Sequence, residues 1–343
     1  MKLNDRKLTI LQAIIHDYIQ TAEPVGSRTL SKKYELGISP ATIRNEMSDL
    51  EELGFLKQPH TSAGRIPSDK AYRLYVDDLM EIKRIAEYHR QQMKVDLLKK
   101  FGEVEQLLQY SSKIISQLTN YTSVVLAPHI KENKIKHVQL VPIDSEKVLA
   151  VMVTDTGIVK NPILKLSEKV NNNTLERISN IINAKIQGKT IKEIENDIVL
   201  NIKTEMGEFE SLVQSIFPDI FSGLESGDEF ELFMSGATNI FNFPEYNDLI
   251  KAKAFLKLLE EKQTLSSLIT GSSDSGLTIS IGSENSCEEA KECSLVTATY
   301  KLDGSTVGWL SVIGPTRMDY SNVAGVMLQV SQYINDLLRK RYK

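Results

Sequence analysis

Thr42, Arg44, Asn45 and Ser48 fall together on the outer side of a short helix, close to its N-terminus. An arginine guanidinium can donate two bonds to guanine O6 and N7, and an asparagine can pair in the same bidentate way with adenine N6 and N7. Hydroxyls at Thr42 and Ser48 can share that reading. A few residues on, Lys57, His60, Thr61, Ser62 and Arg65 surround the small-residue stretch HTSAG, and Ser39 stands at the start of the helix. Such polar and basic groups hold phosphate oxygens and set the register of a protein on a duplex. The chemistry of this constellation is reading and holding DNA rather than breaking bonds.

The elements that must position these groups follow from spacing. Ser39 is a natural N-cap and Pro40 suits the first helical position. Ile43, Met47 and Leu50 recur at helical intervals as an apolar stripe, and Gly54 can end the helix in a left-handed turn. The stripe turns Thr42, Arg44, Asn45 and Ser48 outward. Upstream, Leu8, Leu11, Ile14, Ile15, Tyr18 and Ile19 predict the buried face of a first helix ending before Pro24. Ser27 is expected to cap a second, SRTLSKKYEL, with Leu30 and Tyr34 inward and Gly37 turning into the third. After Gly54, Phe55 and Leu56 alternate with Lys57 and Gln58 as in a half-buried strand, HTSAG makes a tip and Arg65-Ile66-Pro67 returns. Three helices and a β-wing make a winged helix-turn-helix, whose second motif helix enters the major groove. A small helical domain whose Arg and Lys only solvate a surface is the competing reading. The polar, basic wing tip argues against it.

The chain resembles the heat-inducible transcription repressor family HrcA nearly end to end. The resemblance is carried by EPVGSRTLSKKY, by SPATIRNEMSDLEELGFLKQPHTSAGRIPSDKAYRLYVD, by FMSGATNIFNFPEYND, and by IGSEN followed by CSLVTATY and GPTRMDY. It implies a bacterial, cytoplasmic stress-response repressor of heat-shock (chaperone) operons. Such a repressor binds an inverted-repeat operator in double-stranded DNA as a homodimer, with activity dependent on the GroE chaperonin. It also implies a layout of winged helix, GAF-like domain and inserted dimerisation domain. Asn171 to Asn173 match no part of the family pattern.

Composition bounds the alternatives. At 343 residues the chain can form two or three cores, and it has no long uninterrupted apolar run of the kind that spans a membrane. Lys2, Asp5, Arg6 and Lys7 do not make a signal peptide, so the cytoplasm is expected. Cys287 and Cys293 form neither a CxxC pair nor a zinc set, and five scattered histidines have no ligand spacing, so neither a metal nor a cofactor is expected. GSSDSG at 271–276 lacks the Gly-Lys-Ser/Thr ending of a phosphate loop. Glu284 and Asn285 stand at a strand end, where a turn is the favoured reading and a ligand site the alternative, and Arg317, Asp319 and Tyr320 read as a polar cluster capping the final helix. No nucleophile, base or metal set is present for turnover, so the chain is not expected to be an enzyme. The competing function is a transcription regulator gated by a small ligand in the GAF-like domain.

Charge divides by region. Residues 1–73 carry 11 Lys and Arg against 9 Asp and Glu, while the chain as a whole has a net charge of −4. An acidic whole does not oppose DNA binding, because only the local face meets phosphate. A surplus of +2 is nonetheless modest for one reading head. One copy should bind weakly, which points to a dimer.

Along the chain an α+β organisation is expected: a winged helix over 1–73, then a linker and amphipathic helix over 74–118. Ser68 should cap a helix through Met80. Leu97, Phe101, Val104, Leu108, Ser111, Ile115 and Leu118 then step by four and three, a face for packing on its own domain or for an intermolecular seam. β-rich runs over 119–167, with a turn at Asp155-Thr156-Gly157, and again over 247–343 predict an antiparallel sheet domain in two parts. A mostly helical block over 168–246 is inserted between them. The resemblance identifies the split sheet as GAF-like and the insertion as the dimerisation domain.

Overall fold

The computed structural model describes residues 3–342 apart from Ser62, 87–90, 92, 94–96, 98–103, 127–133, Ser145, 156–158, 167–169, 191–192, 195–230, 272–275 and Asp303. The sequence expectations at Ser62, Phe101, Thr156 and Gly157 and within the glycine-rich 272–275 stretch lie outside the described residues.

The N-terminal head forms from local signals. Asn4 caps α1 (Asp5–Thr21) by accepting the Lys7 N–H, and the helix ends on Ala22 in the left-handed region. Ile10, Leu11, Ile14 and Ile15 are buried, whereas Leu8, Tyr18 and Ile19 are only partly covered. The buried face is thus turned toward Ile10 relative to the expected stripe. α2 (Ser27–Lys33) is shorter than expected and is not capped by Ser27. Gly26 holds the cap position, without a side-chain bond, and Ser27 is the first helical residue. In α3 (Pro40–Glu52) Ser39 Oγ accepts the Thr42 N–H at 3.1 Å, and Ile43, Met47 and Leu50 are buried. Gly54 takes φ 78°. Its N–H donates to Glu51 O and that of Phe55 to Leu50 O, both at 2.9 Å, which closes the last carbonyls of the helix.

β1 (Leu56–Lys57) and β2 (Ile66–Pro67) pair antiparallel, with Leu56 opposite Pro67, and form the wing. A bridge between Val25 and Arg65 ties the return strand to the segment before α2. At Gly64 a Cβ would lie 2.4 Å from Val25 O, so this crossing needs glycine. Ser68 caps α4 (Asp69–Leu74) and also donates to Gly54 O at 2.7 Å. The expected helix to Met80 widens instead into a π turn over Tyr75–Leu79, closed by Met80 N–H to Tyr75 O at 2.8 Å.

α5 (Val104–Thr119) carries the amphipathic face. Val104, Leu108, Ser111 and Ile115 are buried within this chain, so its own domain takes the seam. β3 (Thr122–Leu126) follows. The runs expected to share its sheet do not: β4 (Ile135–Pro142), β5 (Lys147–Thr154), β6 (Val159–Lys160) and β7 (Ile163–Lys165) pair only among themselves. With α6 (Asn172–Ile186) they enclose a separate core of Val138, Leu140, Ala150, Met152, Ile178 and Ile182. Asn171 caps α6 through the Thr174 N–H. Asn183 brackets the edge strand, accepting the Val138 N–H and donating to Val138 O, both at 2.7 Å. The free edge of β4 is thereby covered.

β8 (Leu232–Ser235) lies inside the block expected to be helical. The chain continues with 3₁₀ turns over 237–247, α7 (Leu249–Glu260), α8 (Lys262–Thr270), β9 (Leu277–Ile281), β10 (Cys293–Leu302), β11 (Ser305–Pro315) and α9 (Tyr320–Tyr342). Five strands form an antiparallel sheet in the order β8-β3-β11-β10-β9. Val296, Ala298, Leu310 and Val312 face a core with α9 and α5. Cys293, Leu295, Val124 and Leu126 face the other way, toward Phe255, Leu258, Leu265 and Ile269 of α7 and α8. With both faces covered, β10 is buried over most of its length. No helix among the described residues is long and apolar enough to cross a membrane.

Candidate nucleic-acid interface

Helix α3 carries both the reading groups and the acids that could oppose them. Arg44, Asn45 and Ser48 are exposed, and no partner holds any of them among the described residues. Thr42 is half-buried, and its hydroxyl lies 2.9 Å from Ser39 Oγ at the cap. Ser39 is therefore committed to the helix start, where the unpaired N–H groups and the positive end of the helix dipole favour a phosphate.

Three acids of the same helix are neutralised from within the head. Lys7 Nζ reaches Glu46 at 2.7 Å and Asp49 at 2.8 Å, and Arg6 adds a longer contact to Glu46. The Asp49 and Glu46 carboxylates raise the Lys7 ammonium above the usual lysine range. Arg65 Nε donates to Glu51 at 2.8 Å. Three of the four acids of α3 are thus paired with cations of the head, Glu52 stays exposed at its C-terminal end, and Arg44 stays free.

The wing is ordered by a side chain the sequence reading did not single out. Gln58 Nε2 donates to Thr61 O at 3.0 Å and to Ala63 O at 3.1 Å, clasping the tip on both sides. Lys57, His60 and Thr61 are exposed. Arg65 is mostly covered, engaged by Glu51 through its side chain and by Val25 through its backbone. Its side chain links the wing to α3, whereas Lys57 and Arg44 are open.

Two further cations, Arg28 and Lys32 on α2, are exposed and unpartnered among the described residues. Neither forms part of the α3 or wing pattern from which the sequence candidates were drawn. The signal was present, since the first helix of the motif crosses the DNA backbone. Lys33 is not available in this way, because it bonds the buried Asp17. Lys70 donates to Leu53 O at 2.9 Å and lies over the Phe55 ring, fastening α4 to the end of α3. Among the described residues no group of three or more His, Cys, Asp or Glu could hold a metal.

Residues 2–79 match the family described as "Winged helix-turn-helix transcription repressor, HrcA DNA-binding", and residues 105–324 match "HrcA protein C terminal domain". The chain is 56% identical over 343 residues to the heat-inducible transcription repressor HrcA of Alkaliphilus metalliredigens, covering all of both chains. It is 46% identical to the protein of the same name from Clostridium tetani, over 99% of this chain and 97% of that one. A crystal structure described as a hypothetical protein superposes with a TM-score of 0.67 at 24% identity, covering 99% of each chain, and shows the same fold.

Proposed function

This chain belongs to the HrcA family, and from that premise we propose that it represses heat-shock operons by binding an inverted-repeat operator as a homodimer. The observation that carries the reading is the charge arrangement of α3. Three of its four acids, Glu46, Asp49 and Glu51, are paired with cations of the head, and Arg44 and Asn45 near its N-terminus are left open. We assign base edges to Thr42, Arg44, Asn45 and Ser48. Phosphate contact falls to Lys57, His60, Thr61 and Ser62 in the wing, to the α3 N-terminus at Ser39, and to Arg28 and Lys32 on α2. Arg65 chiefly sets the angle of the wing against α3.

Two observations support the dimer. The head carries a surplus of only +2, too little for one copy to outcompete the rest of the genome. The unit inserted between β3 and β8 has a sheet face that no described residue covers. Val141, Val159 and Ile163 are exposed there, and Leu149, Val151 and Val153 are partly exposed on the same side. A second copy seated on this face would bury it, and we assign the insertion, 127–231, to dimerisation. The five-stranded sheet with helices on both faces supports a GAF-like regulatory domain. Dependence on the GroE chaperonin rests on family membership.

Selection of bound sequences from random duplexes, followed by footprinting, tests this reading. The expected product is an inverted repeat whose half-site centres lie near a whole number of helical turns apart. Recovery of a single unrepeated site, or affinity unaffected by inserting half a turn, overturns the dimeric reading.

A further inference from the structure

Two stretches far from the DNA face, NFPEYND and GPTRMD, meet beneath the head. Arg317 is nearly buried, with its side chain 9% exposed. Its guanidinium forms a two-pronged pair with Glu245, Nη2 lying 3.1 Å from Oε2. It also sits 5.5 Å from the centre of the Phe243 ring. Phe243 stacks on Tyr121 at 5.1 Å, and the Tyr121 hydroxyl accepts the Asp319 N–H. All of these groups belong to the sheet domain. The remaining prong leaves it: Arg317 Nη1 donates to Ile19 O at 2.9 Å, in the last turn of α1.

That carbonyl is one of those a helix end leaves unsatisfied, at the negative end of the helix dipole. α1 has no basic residue in its own last turn. The cation serving this end comes from 298 positions away. α1 in turn carries Lys7, which grips α3 through Glu46 and Asp49. The chain of contacts thus runs from the sheet domain through α1 to the reading helix.

We propose that Arg317 is a positioning residue for operator recognition. Held by Glu245 and Phe243, it fastens the C-terminal end of α1 and so fixes the direction in which each head faces its half-site. A second fastening keeps the head from swinging about this point: Arg73 bonds Glu284 and Ile279 O, and Asp69 accepts from Ser283. The Arg317 contact is the one that reaches α1 directly. Loss of it leaves base reading by one head intact and blurs the spacing between two.

The inference rests on the dimeric reading, and the test separates the two. Full-length wild type, Arg317→Gln, Arg317→Lys and Glu245→Gln are titrated against one half-site and against inverted repeats with the selected spacer and with two or five added base pairs. Hydrogen exchange is followed at the amides of the last turn of α1. Wild type should prefer its spacer on the order of 100-fold, the scale of joining two sites. Arg317→Gln should keep half-site affinity, lose about tenfold on the preferred repeat, tolerate added base pairs, and exchange faster at the end of α1. Glu245→Gln should move the same way by less, and Arg317→Lys should recover part of the preference. An unchanged spacer preference in Arg317→Gln overturns the proposal, as does an equal fall on half-site and repeat. Failure of both the Arg317→Gln and Glu245→Gln proteins to fold also overturns it, since the pair would then serve folding alone. If wild type itself shows no spacer preference, the dimeric reading fails, and exchange decides the inference: no acceleration in Arg317→Gln refutes it.

Discussion

Arg65 and Glu51 join the wing to the reading helix, Nε lying 2.8 Å from Oε2 with both side chains partly covered. Neither residue needs to touch DNA for the bond to matter, because the angle between wing and helix decides whether both can meet the duplex together. Arg65→Ala and Glu51→Ala should therefore weaken operator binding in the same direction. Glu51→Ala removes a negative charge near DNA, so a purely electrostatic account predicts the opposite sign. Titrations across salt check the distinction. Lys57→Ala should lower the salt slope by about one, as for a lost phosphate contact, and Arg65→Ala by clearly less.

Arg44→Ala and Asn45→Ala should relax sequence preference, each at a cost of ~1–3 kcal/mol on the matched site and little on mismatched DNA. Binding to a panel of single-base operator variants measures this. Discrimination kept by both mutants would move base reading elsewhere on α3.

Gln58→Ala should loosen the wing tip without unfolding the head, because both of its bonds end on loop carbonyls. Faster amide exchange at Ala63 is expected, with operator affinity falling by roughly 1 kcal/mol, the worth of an ordinary hydrogen bond. No change in exchange would leave Gln58 without the clasping role.

The two thiols should behave differently. Burial pushes the Cys293 thiol up to about 11, and Cys287 is only half covered. A thiol reagent near neutral pH should label Cys287 first, and Cys293 only once the sheet opens. A raised thiol pKa favours the fold fully below the ordinary thiol range, and that contribution drains away as pH rises through about 11. Denaturant titrations at mildly and strongly alkaline pH should show less of this alkaline loss in Cys293→Ala than in wild type.

Val151→Lys places a charge on the sheet face of the insertion that no described residue covers. Sedimentation should show a shift toward monomer, and operator affinity should fall toward that of one head. A dimer that survives this change would direct attention to another surface.

The head was legible because its signals are local. Ser39, Pro40 and Gly54 each act within a few residues, and the helix they bound is found where they place it. Ser27 misled because a serine before an apolar run looks like a cap, although the backbone already enters the helix at Gly26. The widening at Tyr75 leaves no mark in side-chain spacing. In the sheet domain the limit was pairing. β3 and β4 to β7 are all short β-rich runs close in sequence, and composition does not say which strands are neighbours. β8, only Leu232–Ser235, is too short to display a period and exists because β3 lies beside it. The Arg317 contact to Ile19 was beyond reach for the same reason. GPTRMD suggested a helix cap, and Asp319 does accept the Asn322 N–H at the start of α9, but nothing local points an arginine at α1.

The strand order of the large sheet has a consequence for synthesis. β11 lies between β3 and β10, yet it is the last of the five strands to leave the ribosome. Until Ser305–Pro315 is made, β3 and β10 each present an open edge across the gap that β11 will fill. Open edges of apolar strands invite pairing with other chains. The reading head can form early from its own short-range contacts, while the body that orients it closes only at the end. However fast the head folds, the body that aims it therefore waits for the last strand of its sheet to be made.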